Sequence, residues 1–244
     1  KYLLYENEPR EVALAVLEHY LPRGSGDLLP ISDEGSFLAF IERFELLLSI
    51  YSKGERPTGS SDPYALRRSA NAILQILWSK SWRINFELLI DQGTLYISKV
   101  LPDLQSDPLQ LRSELKEFFQ QRILSLLEEM GLDHDLVQAV AGNTISTCRI
   151  LSDPFDVKLR AELLTQMRKS GKLASVQAVV TRATRLANKG DLSFEIVGAT
   201  DIIDSSLFQS PSELRLLKVI DDLEPITSST SSENYEMLAE GLKD

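Results

Sequence analysis

DPYALRRSANAILQILWSKS, residues 62–81, decides the fold class. Asp62 can accept hydrogen bonds from the free amides of a helix start, and Pro63 is favoured at the first helical position. Leu66, Ala70, Ile73, Leu74 and Leu77 then recur at the spacing of one helix face, which predicts a helix from Pro63 to about Ser81. Trp78 and Trp82 lie four apart on that pattern and can serve as core or as interface, core being the commoner use.

The same signal recurs outward along the chain at Asp107-Pro108, Asp153-Pro154 and Ser210-Pro211. After Pro108, the residues Leu111, Leu115, Phe118, Phe119, Ile123, Leu126 and Leu127 form a second apolar face, and Gly131 supplies a left-handed stop. Further helices are expected at about 8–21, 33–52, 84–100, 134–142, 154–169, 172–189, 211–223 and 232–243. Alternating strand patterns are scarce, LSFEIV at 192–197 being the best of them. The expected fold class is all-α. Longer loops are expected at 53–61, 101–107, 190–206 and 227–232; the second, LPDLQSD, reads as a domain boundary between residues 1–103 and 104–244. The first residues read as apolar and helical, with no cap before Leu3, Leu4 and Tyr5, which suggests a chain that begins inside a larger protein.

The composition excludes several classes of function. With 244 residues and 43% hydrophobic content the chain can bury a core, and its formal charge is −10. One cysteine, Cys148, cannot form an internal disulfide, and with only His19 and His134 it cannot complete a four-ligand zinc site. Cys148 sits among Ile145, Ile150 and Leu151 and is expected to be buried. No apolar run approaches the ~20 residues needed to cross a bilayer, so a soluble, cytoplasmic protein without a membrane partner is expected. There is no GxxxxGK[ST] loop, no strand-linked GxGxxG, no HExxH and no GxSxG. No catalytic residue and no metal ligand is therefore assigned. His134-Asp135 could be read as half of a metal site, but a helix N-terminus at Asp133 explains the pair better.

Charge is unevenly spread. Residues 163–190 carry Arg168, Lys169, Lys172, Arg182, Arg185 and Lys189 without an acid, and residues 63–86 carry Arg67, Arg68, Lys80 and Arg83, again without one. These 52 residues hold +10, leaving −20 on the other 192. Such windows are either solvated helix faces or places where an acidic protein admits an anion while repelling it elsewhere. Arg182 and Arg185, three apart, project from one side of a helix that carries Val176, Val179, Val180 and Leu186 for burial. Two guanidinium groups on a rigid helix can bond phosphates or stack on bases.

The stretch GERPTGSSDPYALRRSANAIL at 54–74 resembles the PTGS-DP-ALRR signature of the β subunit of bacterial-type glycyl-tRNA synthetase. EHYLPRGSGDLLP at 18–30, RATRLANKGD at 182–191 and SLFQSPSE at 206–213 resemble further segments of that family in the same order. The resemblance implies an HD-type helical domain, N-terminally truncated, over 1–103. It implies a DALR-like anticodon-binding helical domain, C-terminally truncated, over 104–244. The implied role is tRNA binding within glycine-tRNA ligase, with Arg67, Arg68, Arg168, Lys169, Lys172, Arg182, Arg185 and Lys189 as the tRNA-binding residues. Glycine tRNA and the α subunit would be its partners in an α/β hetero-oligomer of the cytoplasm, or of a plastid. No cofactor is expected on this chain, ATP with Mg belonging to the α subunit. Where HD domains place a metal-binding Asp, this sequence has Ile41-Glu42-Arg43-Phe44-Glu45. A subunit-assembly scaffold and a residual HD-type phosphohydrolase are the alternative functions.

Overall fold

The computed structural model describes residues 2–100, 107–190, 203–227 and 232–242. Among them are twelve α-helices and no strand, so the fold is all-α. They are α1 (Tyr2–Tyr5), α2 (Arg10–Glu18), α3 (Asp33–Ser52), α4 (Leu66–Ser79), α5 (Phe86–Val100), α6 (Pro108–Glu129), α7 (His134–Ala141), α8 (Thr147–Leu151), α9 (Pro154–Lys169), α10 (Leu173–Ala187), α11 (Pro211–Thr227) and α12 (Ser232–Gly241), with a 3-10 turn at Ser205–Leu207. The expected strand pattern at 192–197 lies outside the described residues, as does the loop at 101–106. The helical start read at Leu3, Leu4 and Tyr5 is α1, while α8 and the 3-10 turn were not anticipated, each being too short to show a period.

The capping residues act as their chemistry predicts, with one displacement. Asp107 accepts from the Gln110 amide at 3.1 Å, with Pro108 in the first turn of α6. Asp153 accepts from the amides of Phe155 and Asp156, both at 3.1 Å. At α11, Ser210 Oγ accepts from Ser212 N, and Glu213 reaches back to the amides of Gln209 and Ser210 at 2.6 and 2.8 Å. Asp62 also caps, but α4 starts at Leu66 rather than at Pro63. A tight turn comes first, Ala65 N donating to Asp62 O at 3.0 Å, and Ala65 takes a left-handed φ of 54°. The Asp62 carboxylate therefore reaches the amides of Leu66 and Arg67, at 2.8 and 3.0 Å.

The chain divides into two compact units, Lys1–Lys158 and Leu159–Asp244. In the first, α3 packs on α2, α4 and α5, while α6 packs on α4, α5, α7 and α8. Helix α6, which follows the boundary expected at 103, thus lies in the same unit as α5, which precedes it. The core is aromatic at its centre. Phe86 is fully buried and meets Phe119 edge-on at 4.6 Å between ring centroids, with Phe40 and Phe44 at 6.1 and 5.9 Å. Trp78 is buried, its Nε1 donating to the Pro154 carbonyl at 2.9 Å, and the half-buried Trp82 stands edge-on to Phe40. In the second unit α11 packs on α12.

Cys148 departs from expectation: it is exposed. Its short helix buries Ile150 and Leu151 and leaves the thiol on the outer side, bonded to Glu87, which pushes the thiol pKa up. His134 begins α7 with Asp133 before it, and its Nδ1 lies 2.6 Å from Glu128 Oε1.

Candidate nucleic-acid interface

Two of the sequence stretches singled out above meet in the first unit. The segment after α2 is irregular, and its shape is fixed by Arg43 of α3. The Arg43 guanidinium donates to four carbonyls: His19 at 2.8 Å, Ala39 at 3.0 Å, Tyr20 at 3.1 Å and Pro22 at 3.2 Å. Beyond Pro22 the chain turns, and Asp27 accepts from the amides of Arg23 and Leu28 and from the Arg23 guanidinium, at 2.8 and 3.3 Å. Those bonds, the Arg23 side chain first among them, hold the Asp27 carboxyl far below the usual range. At the other end Ser32 caps α3 through Gly35 N and is itself held by Glu18, which accepts from its amide at 2.9 Å and its hydroxyl at 2.5 Å.

The loop before α4 is equally tied. Thr58 and Ser61 exchange backbone hydrogen bonds at 2.9 and 2.7 Å. Arg56 lies over the Tyr51 ring, donates to the Tyr51 carbonyl at 2.5 Å and pairs with Glu114.

Between these segments runs a groove of about 720 Å³. Pro22, Gly24 and Ser25 form one wall, Asp62 and Ala65 one end, and Arg67, Arg68, Asn71 and Gln75 of α4 the floor, with Glu129 at the rim. Arg68 Nη1 donates to the Arg23 carbonyl at 3.3 Å, joining floor to wall. Arg67 is half-buried and makes no side-chain hydrogen bond or ion pair among the described residues. Arg122 of α6 lies in its field: burial first, and then the Arg67 charge, lower the Arg122 pKa, and its Nε is buried without a hydrogen bond. The other cations of this window are engaged. Lys80 bonds the Ile31 carbonyl and Asp33, and Arg83 bonds Asp153 at 2.7 Å.

The second basic window lies in the second unit. Arg168 and Lys169 end α9, Gly171 turns the chain at φ 75°, and Lys172 precedes α10 with its Nζ on Glu240. Arg182, Arg185 and Lys189 are exposed along and just beyond α10, and none of the three forms an ion pair among the described residues. The apolar face expected to be buried is not: Val179, Val180 and Leu186 are 39%, 47% and 71% exposed. Among the described residues no helix packs closely along α10.

Arg67 and Arg68 are therefore brought together in one groove, and the other six basic residues on α9, α10 and the turns beside them. Sequence reasoning missed Arg43, Asn71, Gln75 and Arg122. The spacing of Arg67, Asn71 and Gln75, four apart on an otherwise apolar helix, was the available signal for the groove floor. Glu42 and Glu45, in the stretch aligned with an HD metal position, point to solvent, while Arg43 between them turns inward onto the carbonyls. Among the described residues no three His, Cys, Asp or Glu side chains cluster to hold a metal ion.

The sequence profile of the family described as "Glycyl-tRNA synthetase beta subunit" matches residues 1–142, more than half of the chain. The chain belongs to the glycyl-tRNA synthetase beta subunit family. The Glycine–tRNA ligase beta subunit of Acaryochloris marina is 39% identical over 99% of this chain and 34% of its own length. Those of Trichodesmium erythraeum and Picosynechococcus are 39% and 40% identical over the same shares. The chain thus spans about a third of the length of these relatives. The groove walls, built from the segments 18–30 and 54–74, fall within the part matched to the glycyl-tRNA synthetase beta subunit family.

Proposed function

We propose that this chain is a tRNA-binding portion of the β subunit of glycine–tRNA ligase and supports the ATP-dependent attachment of glycine to its tRNA. The observation that carries the reading is α10, a helix of a chain in this family that exposes Arg182 and Arg185 with no acidic partner among the described residues. In this reading residues 1–103 are the HD-type part and 104–244 the DALR-like anticodon-binding part. The partners are glycine tRNA and an α subunit that handles glycine and ATP with Mg. Phosphate contacts from the basic residues give salt-sensitive affinity, and base contacts choose the tRNA. No described helix is long and apolar enough to cross a membrane.

The test is a salt titration of the chain with glycine tRNA and with an unrelated tRNA, followed by fluorescence anisotropy. Tighter binding of glycine tRNA, weakening as salt rises, is expected. Equal affinity for both, or none for either, overturns the reading.

A second reading, subunit assembly without tRNA readout, is favoured by the exposed Val179, Val180 and Leu186 of α10 and the exposed Phe37, Leu38 and Ile41 of α3. Co-purification with the α subunit in the absence of tRNA binding would establish it.

A further inference from the structure

Helix α4 is buried almost throughout. Leu66, Ala70, Ile73, Leu74 and Leu77 are at most 1% exposed, and Ala72, Ile76 and Trp78 are also in the core. Its charged and carboxamide positions share one side. Arg67, Arg68, Asn71 and Gln75 all open onto the groove already described. Arg67, Asn71 and Gln75 are spaced four apart, which places them in a row along one side of the helix, about 6 Å per step.

The row changes chemistry along its length. At the N-terminal end stand two guanidinium groups, matched in geometry to the oxygens of a phosphate. Farther along stand two carboxamides, each offering a donor pair and an acceptor. Neither carboxamide forms a hydrogen bond among the described residues, and Asn71 Oδ1 is buried without a partner although it borders the groove. A buried acceptor without a partner is costly, and a donor from a bound molecule would relieve that cost. Paired donor and acceptor is also the pattern by which Asn and Gln meet the edges of nucleobases. The Asp62 oxygens accept the main-chain amides of Leu66 and Arg67, and among the described residues its carboxylate forms no ion pair with either arginine. The volume, about 720 Å³, suits one nucleotide, small-molecule sites running to roughly 300–1,000 Å³. A second cavity of about 320 Å³ begins on the far side of Gln75.

We infer that the α4 groove binds one nucleotide, its phosphate at Arg67 and Arg68 and its base edge at Asn71 and Gln75. Under the function proposed above, that nucleotide belongs to a single-stranded part of the RNA; a free nucleotide presents the same chemistry. Arg43 is a positioning residue, since it fixes the carbonyls that shape the opposite wall and touches no ligand itself.

The experiment records the side-chain amide and backbone resonances of the isotopically labelled chain during titration with adenosine monophosphate, inorganic phosphate and glycine tRNA. Asn71→Ala and Gln75→Ala assign the two carboxamides, and anisotropy follows tRNA binding in parallel. Adenosine monophosphate is expected to shift the Asn71 and Gln75 amides together with the backbone signals of Arg67 and Arg68, phosphate only the latter. The double Ala variant should bind the nucleotide at least tenfold more weakly while keeping the wild-type spectrum elsewhere. Displacement of the nucleotide by tRNA assigns the site to an RNA strand; shifts that tRNA leaves untouched assign it to a free nucleotide. If tRNA binds but the two carboxamides respond neither to it nor to the nucleotide, the inference fails and the tRNA-binding function stands. If the nucleotide shifts them and no tRNA binds, the function fails and the site stands. Silence of both carboxamides in every titration overturns the inference.

Discussion

Arg43 Nη2 donates to the Pro22 carbonyl at 3.2 Å, which ties the middle of α3 to the wall of the groove. The same guanidinium holds the His19 and Tyr20 carbonyls, so one side chain from a regular helix organises a segment that has no regular structure of its own. An irregular backbone inside a protein needs partners for its carbonyls. Arg43 supplies them from a single point, with a side chain that is 11% exposed.

Replacing Arg43 by Met keeps an apolar stem and removes every donor. The expected loss is about 2–3 kcal/mol, since several carbonyls lose a charged partner at once. Urea unfolding followed by circular dichroism measures it. Arg43→Lys should recover only part of the loss, because one ammonium cannot span the fork of carbonyls. A wild-type midpoint for Arg43→Met would show that water serves these carbonyls equally well.

Gly93 of α5 marks a close approach. A Cβ there would stand 2.9 Å from Leu48 Cδ1 and 3.0 Å from Phe44 Cε1. Ala is the better helix former by up to about 1 kcal/mol, but overpacking a core costs about 1–3 kcal/mol. Gly93→Ala is therefore expected to destabilise the chain by roughly 1 kcal/mol despite its higher propensity. A raised melting temperature would mean that Phe44 and Leu48 give way freely.

Glu18 couples acidity to the start of α3. The Ser32 hydroxyl, the largest influence, and the Ser32 amide both bond its carboxylate and lower its pKa, against an opposing effect of burial. A carboxylate with a lowered folded-state pKa stabilises the fold fully above its unfolded value, and that contribution is lost as pH falls through the folded value. Glu18→Gln should thus be less stable than the parent at pH 7, by about 1 kcal/mol. The gap should close as both are titrated below the ordinary glutamate value of 4.5 and on through the lower folded value. Thermal melts between pH 7 and 3 give the comparison, and a gap independent of pH would assign the effect to shape rather than charge.

The helices were legible because burial repeats at the helical period: Leu66 to Leu77 and Leu111 to Leu127 read directly as faces that meet in the core. The start of α4 was not, because Asp-Pro marks a cap and also a turn, and only the tertiary fold chooses between them. Arg67 and Arg68 could be singled out by charge, but the groove that contains them needed the wall at 22–25, whose shape depends on Arg43 more than 15 residues away in sequence. Cys148 and α10 failed in the opposite direction. Apolar neighbours in sequence promised burial, and burial depends on what packs alongside.

Arg182 and Arg185 offer the sharpest separation of binding from scaffold. Both are exposed and unpaired among the described residues, so replacing both by Ala should change stability by no more than about 0.5 kcal/mol. If each neutralises one phosphate, the slope of log K against log salt should fall by about 1.5–2 in the double variant. Lys172→Ala serves as the contrast, because its Nζ is already on Glu240 and its removal should alter the slope less. A double variant with the parental slope and affinity would place the RNA contacts elsewhere and leave α10, with its exposed valines, as a surface for protein.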